Sequence, residues 1–128
     1  MSAAIAPINI EERLEALREA LKKSKLDGIL ISSQENRRFF SGFTATDPML
    51  NESSGVLLIL LNEAYLITDG RYLVSAAEEA KAFEVVTTGL GGLPRTLEAL
   101  IKEPTRLAFE PDYLSYGLFK NLSEIKNI

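Results

Sequence analysis

A chain of 128 residues, 46% hydrophobic and 25% charged, suits one globular domain with a single core and no covalent staples. Its net charge of −4, with no basic cluster beyond the doublets Lys22-Lys23 and Arg37-Arg38, argues against nucleic acid or an anionic membrane as partner. Neither Cys nor His is present, which excludes disulfides, the usual zinc sites and triad-type nucleophiles and leaves carboxylate and arginine chemistry, or none.

Residues 1–8 read as a short lead-in stopped by Pro7, without the basic and apolar regions of a signal peptide. The longest apolar run, residues 56–61, is far too short to span a bilayer, and a cytoplasmic location is expected. Asn9 opens a helix as a capping residue, with Glu12 three positions on. Ile10, Leu14, Leu17 and Leu21 then keep one apolar face, while Glu15, Glu19, Lys22 and Lys23 suit a solvated one. Leu26-Asp27-Gly28 ends the helix, and residues 29–31 follow as a buried strand. Residues 36–43 form a compact unit in which Gly42 suits the position just past a helix end. Phe39, Phe40 and Phe43 belong in its core or along a seam with another domain or subunit.

Residues 44–54 are the long irregular stretch of the chain, polar and interrupted by Pro48, near the length at which loops become functional or disordered. Two apolar runs, 56–61 and 64–68, joined at Asn62-Glu63, predict a hairpin, and their lack of polar alternation predicts cover on both faces. Residues 71–82 return to helical spacing, with Tyr72, Ala76 and Ala80 inward, or Leu73 and Ala77. Residues 83–87 are strand-like in their β-branched content. Gly89 to Gly92 form a turn without phosphate-loop spacing. Pro94 starts a helix with Leu93, Leu97, Leu100 and Ile101 on one face, ended by Pro104. Residues 106–110 read as a last strand, and Ser115 caps a final helix carrying Leu118, Phe119, Leu122 and Ile125. The order α β α β β α β α β α predicts an α/β fold, a three-layer α/β/α sandwich on a mixed sheet of about five or six strands.

Asp69 and Arg71 stand at a strand end, where α/β folds place many sites. Asp-Gly is also among the commonest turn pairs, so a structural role weighs more: Asp69 capping the next helix with Arg71 paired beside it. Glu110, at another strand end, is read in the same way. An oxygen cage of Asp47, Glu52, Asp69 and Glu110 has no support from EF-hand spacing.

Four pieces in order then carry a resemblance over residues 10–120. They are the opening helix running into Leu26-Asp27-Gly28-Ile29-Leu30-Ile31; Asn36-Arg37-Arg38-Phe39-Phe40-Ser41-Gly42-Phe43; Leu66-Ile67-Thr68-Asp69-Gly70-Arg71-Tyr72; and Leu107-Ala108-Phe109-Glu110. Each is weak alone, but the ordered set resembles the N-terminal domain of the creatinase/prolidase/aminopeptidase P family of pita-bread metallopeptidases. Phe39, Phe40 and Ala108 depart from the family's usual Tyr, Leu and Gly.

The resemblance implies a ribonuclease-H-like sandwich and makes Asn36, Gly42, Asp69, Arg71, Tyr72 and Glu110 structural family residues. It implies that residues 1–128 form one such N-terminal domain, with no catalytic or metal-binding residue of its own. In the family two divalent metals (Mn, Co or Zn) lie in a C-terminal catalytic domain, on Asp, His and Glu ligands, and that domain is expected to be absent from this chain. The domain alone is therefore expected to be inactive, as part of an Xaa-Pro dipeptidase or aminopeptidase whose partners are its own C-terminal domain, a second subunit and a peptide substrate. Phe43 and Asp47, in the loop after Ser41-Gly42-Phe43, are expected nearest the substrate in the dimer. Competing expectations are a creatinase-like amidinohydrolase, a metal-free pita-bread interaction scaffold, and a free-standing ribonuclease-H-type enzyme. The last needs clustered acids and a basic face that this chain lacks.

Overall fold

The computed structural model describes residues 9–47 and 53–128. The expected lead-in at 1–8, Pro48 and Glu52 lie outside the described residues. Helix α1 (Ile10–Lys23) starts at Asn9, whose side chain accepts from the Glu12 N–H at 3.0 Å. Leu14 and Leu21 are buried, with Ile10 and Leu17 packed at the margin of the same core. Two arginines of α1 are not merely solvated, and Arg13 donates from Nη1 to Phe39 O at 2.7 Å. Arg18 donates from Nε to Leu60 O at 2.8 Å and from Nη2 to Glu63 O at 3.0 Å, satisfying carbonyls at the hairpin turn.

Strand β1 (Gly28–Ile31) begins at a glycine because β2 passes too close for anything larger. A Cβ on Gly28 would lie 2.6 Å from Leu60 Cδ2 and 2.9 Å from Ile59 O. Helix α2 (Gln34–Ser41) is capped by Ser33, whose hydroxyl accepts from the Asn36 N–H. It ends at Gly42 in the left-handed region, φ +83°, where an added Cβ would sit 3.2 Å from Glu79 O. Gly42→Ala is expected to destabilise the domain by about 1–2 kcal/mol, the strain of a Cβ at that φ. Urea unfolding measures it, and an unchanged midpoint at equal m-value refutes it.

The hairpin forms from β2 (Val56–Leu60) and β3 (Ala64–Thr68), and a 3-10 turn at Gly70–Tyr72 leads into α3 (Leu73–Glu79). Then come β4 (Glu84–Thr87), α4 (Gly92–Leu100), β5 (Leu107–Phe109), a second 3-10 turn at Pro111–Tyr113, and α5 (Tyr116–Ser123). Ser115 caps α5 by accepting from the Leu118 N–H at 3.1 Å.

The sheet has five strands in the order β4-β3-β2-β1-β5, antiparallel at β1/β2 and β2/β3 and parallel at the two edges. Successive side chains of the central strands enter opposite cores, the period-two rule applied to strands covered on both faces. Ile31, Leu57, Ile59 and Leu66 join Leu14 of α1, Ala76 of α3 and Phe43 on one side. Leu30, Val56, Leu58, Tyr65 and Ile67 join Leu97 and Ile101 beside α4 and Leu122 and Ile125 beside α5 on the other. The three layers follow directly.

Three details differ from the sequence reading. The helix expected over 71–82 is a 3-10 turn and a seven-residue α3, with Ala76 and Ala80 inward and Leu73 exposed. The chain must leave the helix by Ala80 so that Phe83 can turn into the core. Helix α4 starts at Gly92 rather than Pro94; the proline still falls in the first turn, where a missing N–H is harmless. Phe119 is half exposed at the sheet edge, its ring centroid 5.3 Å from that of Phe109. Of the two positions expected for Phe39, core or seam, the core is excluded: it is 47% exposed, with the Arg13 guanidinium 4.0 Å above its ring.

Candidate functional site

The strand pairing brings the C-terminal ends of β1, β3, β4 and β5 and the start of β2 to one end of the sheet, since Val56 pairs with Ile67, Thr68 with Thr87, and Leu30 with Phe109. The candidate residues Asp69 and Arg71 after β3, Glu110 after β5, Asn36 bonded to Glu110 and Asp47 bonded to Ser54 lie at or beside this end. They fall into three groups.

The first group joins β5 to the corner between β1 and α2. Glu110 accepts from the Ser32 and Ser33 N–H groups at 2.6 and 2.8 Å, from Ser33 Oγ at 2.8 Å and from Asn36 Nδ2 at 2.7 Å. Burial opposes ionisation of this half-buried carboxyl, but the hydrogen bonds outweigh it, and its pKa is held below the ordinary glutamate value. The carboxylate sits where the N-terminus of α2 favours an anion, so the chain supplies its own. Asn36 and Glu110 thus form one structural tie.

The second group is the corner after β3. Asp69 Oδ1 accepts from the Arg71 N–H at 2.9 Å, and Arg71 Nη2 meets Asp69 Oδ2 at 2.8 Å. The arginine's hydrogen bonds hold the Asp69 pKa below its ordinary value. Arg71 also lies over the Tyr72 ring, 5.1 Å from its centroid, and Tyr72 meets Phe43 edge-on at 6.0 Å. Gly42 supplies the left-handed turn that drives Phe43 inward, and Phe43 has no exposed surface.

The third group joins Asp47, singled out in the sequence, to Arg37, which was read there only as half of a basic doublet. The Arg37 side chain is wholly buried. Nη1 and Nη2 each reach a carboxylate oxygen of Asp47 at 3.0 Å, while Nη1 donates to Gly55 O at 2.8 Å and Nη2 to Ala45 O at 2.7 Å. Asp47, 16% exposed, also accepts from the Ser54 N–H at 2.8 Å. Arg37 was legible only through its spacing, one helical turn before Ser41 on the inward face of α2.

The three groups are not one acid cluster. Among the described residues no set of three or more acids could hold a metal ion, and Asp47, Asp69 and Glu110 are each occupied by donors of the chain. The donor set does not fit a pair of divalent ions. At the opposite end of the sheet an open concavity of about 590 Å³ is lined by Asp27, Glu63, Tyr65, Glu84, Lys102 and Glu103 among others. There the Tyr65 hydroxyl donates to Glu63, and this bond, with burial, raises the phenol pKa to about 12. Among the described residues no helix is long and apolar enough to cross a membrane.

Comparison with known proteins agrees with this architecture. A sequence model of the Creatinase/Prolidase N-terminal domain matches residues 13–127. An uncharacterized peptidase of Bacillus subtilis (strain 168), YqhT, is 33% identical over 115 residues, 88% of this chain and 30% of that protein. Among solved structures, an Xaa-Pro dipeptidase from Bacillus anthracis superposes with a TM-score of 0.77 at 31% identity, covering 91% of this chain and 31% of that one. The N-terminal domain of the cytoplasmic peptidase PepQ from Mycobacterium tuberculosis H37Rv does so with a TM-score of 0.71 at 28% identity, covering 88% and 82%. The chain spans about a third of the length of the full-length YqhT and Bacillus anthracis proteins. With its motif residues tying the same sheet end together, the chain belongs to the creatinase/prolidase N-terminal domain family.

Proposed function

We propose that this domain is the non-catalytic N-terminal module of a cytoplasmic Xaa-Pro dipeptidase or aminopeptidase, contributing to dimerisation and substrate selection. The carrying observation is the match of nearly the whole chain to about a third of a solved Xaa-Pro dipeptidase, together with the N-terminal-domain family model over residues 13–127. The chemistry of the described residues supports the division of labour: Asp47, Asp69 and Glu110 are taken up by internal hydrogen bonds and no three acids gather to hold a metal, so the two divalent ions (Mn, Co or Zn) belong with a C-terminal catalytic domain. The loop between α2 and β2 is the segment assigned to substrate selection. Asp47 lies at its neck; the buried Phe43 ring acts beneath it, fixing its base rather than touching a peptide.

The test is an assay of the 128-residue chain with Mn²⁺ or Co²⁺ and an Xaa-Pro dipeptide, beside the protein that carries this domain ahead of a catalytic one. The longer protein is expected to cleave and the single domain to be inert. Cleavage by the single domain refutes the reading.

A further inference from the structure

We infer that Arg37 is the positioning residue of the neck between α2 and β2, residues 45–47 and 54–55, setting that neck's part in recognition from inside the domain without meeting a ligand. The inference rests on the functional reading above for what is recognised, an Xaa-Pro peptide, and on geometry for how the neck is held.

Arg37 grips both sides of the loop's neck. On the entry side it holds Ala45 O at 2.7 Å and the Asp47 carboxylate in a two-pronged contact; on the exit side it holds Gly55 O at 2.8 Å. The two sides are also tied to each other, with Ser54 N–H donating to Asp47 Oδ1 at 2.8 Å and Ser54 Oγ to Thr46 O at 2.8 Å. The neck is anchored outward as well: Asp47 N–H donates to Gln34 Oε1 of α2, and Thr68 Oγ1 of β3 donates to Ser54 O, both at 2.6 Å. A guanidinium fork accepts a carboxylate in one plane, so this contact defines an orientation and not only a distance.

Stability does not account for the arrangement. A buried ion pair is often matched or exceeded by apolar residues of the same volume, and Arg37 Nε is buried without a partner, a further penalty. What the pair adds is a defined neck. The Asp47 carboxylate is correspondingly turned inward, taken by three N–H donors, so changes at Asp47 reach a substrate through the neck.

Two measurements test this. In the present chain, Arg37→Lys and Arg37→Met are expected to speed amide exchange of Ser54 and Asp47 by about tenfold or more while the amides of β2 and β3 keep their protection. Unchanged exchange at Ser54 and Asp47 overturns the inference. In the protein that carries the catalytic domain, Arg37→Lys and Asp47→Asn are each expected to raise KM for an Xaa-Pro dipeptide about fivefold with kcat within about twofold, and the double variant to match the singles. Leu122→Ala, which loosens the opposite core, should lower Tm and leave KM alone. An unmoved KM in the Arg37 variants, or additive effects of the two substitutions, overturns the positioning role. If the unaltered longer protein cleaves no Xaa-Pro peptide, the functional reading fails, and the exchange measurement still decides whether Arg37 holds the neck.

Discussion

Replacing Asp47 by Ala is expected to destabilise the domain by about 3–5 kcal/mol, because it strands the wholly buried Arg37 charge with only two carbonyl partners. That is a large share of the roughly 5–15 kcal/mol that holds a domain folded, and corresponds to a Tm lower by more than about 10 °C. The charge, not the lost contact, is the cause. Arg37→Met combined with Asp47→Ala should therefore be more stable than Asp47→Ala alone, since it removes the stranded cation. Thermal or urea unfolding of the two variants decides it. A single variant within about 1 kcal/mol of the unaltered chain, or a double variant less stable than the single, contradicts the account.

Glu110→Ala comes second. It removes the acceptor of four hydrogen bonds and parts the end of β5 from the β1–α2 corner. Hydrogen bonds to a charged group are each worth about 1.5–3 kcal/mol when buried; half-exposure screens them, and the expected total loss is on the order of 2–3 kcal/mol. The pH dependence has a definite sign. The folded pKa of Glu110 is depressed, so its contribution is fully present above the unfolded value of about 4.3 and is lost as pH falls through the lower folded value. Unfolding measured between neutral pH and about pH 3 should show this acid-side loss in the unaltered chain and less of it in Glu110→Gln, which carries no titrating group there. Equal pH slopes for the two proteins would show that Glu110 is not a source of the loss.

Features that depend on near neighbours were legible in the sequence. The Asn9 and Ser115 caps need only an acceptor three residues ahead of a free N–H, and Gly42 needs only its own φ. The hairpin and its two-sided cover follow from unbroken apolar runs about a polar turn. Side-chain direction near element ends was less legible. Leu73 and Phe119 have apolar spacing that fits burial, yet both are exposed.

The site divides along the same line. By itself the sequence determined the family motif, the three-layer order and the absence of imidazole and thiol chemistry, since residue identity and short spacing carry that information. Only the tertiary structure decided that Asn36 meets Glu110 across 74 positions and that Arg37 spends its charge on Asp47 and on carbonyls 8 and 18 residues away. A charge is solvated or buried according to what the sheet places beside it. One arginine of the Arg37-Arg38 doublet faces the core because α2 presents it there, and only its spacing from Ser41 sets it apart from its exposed neighbour.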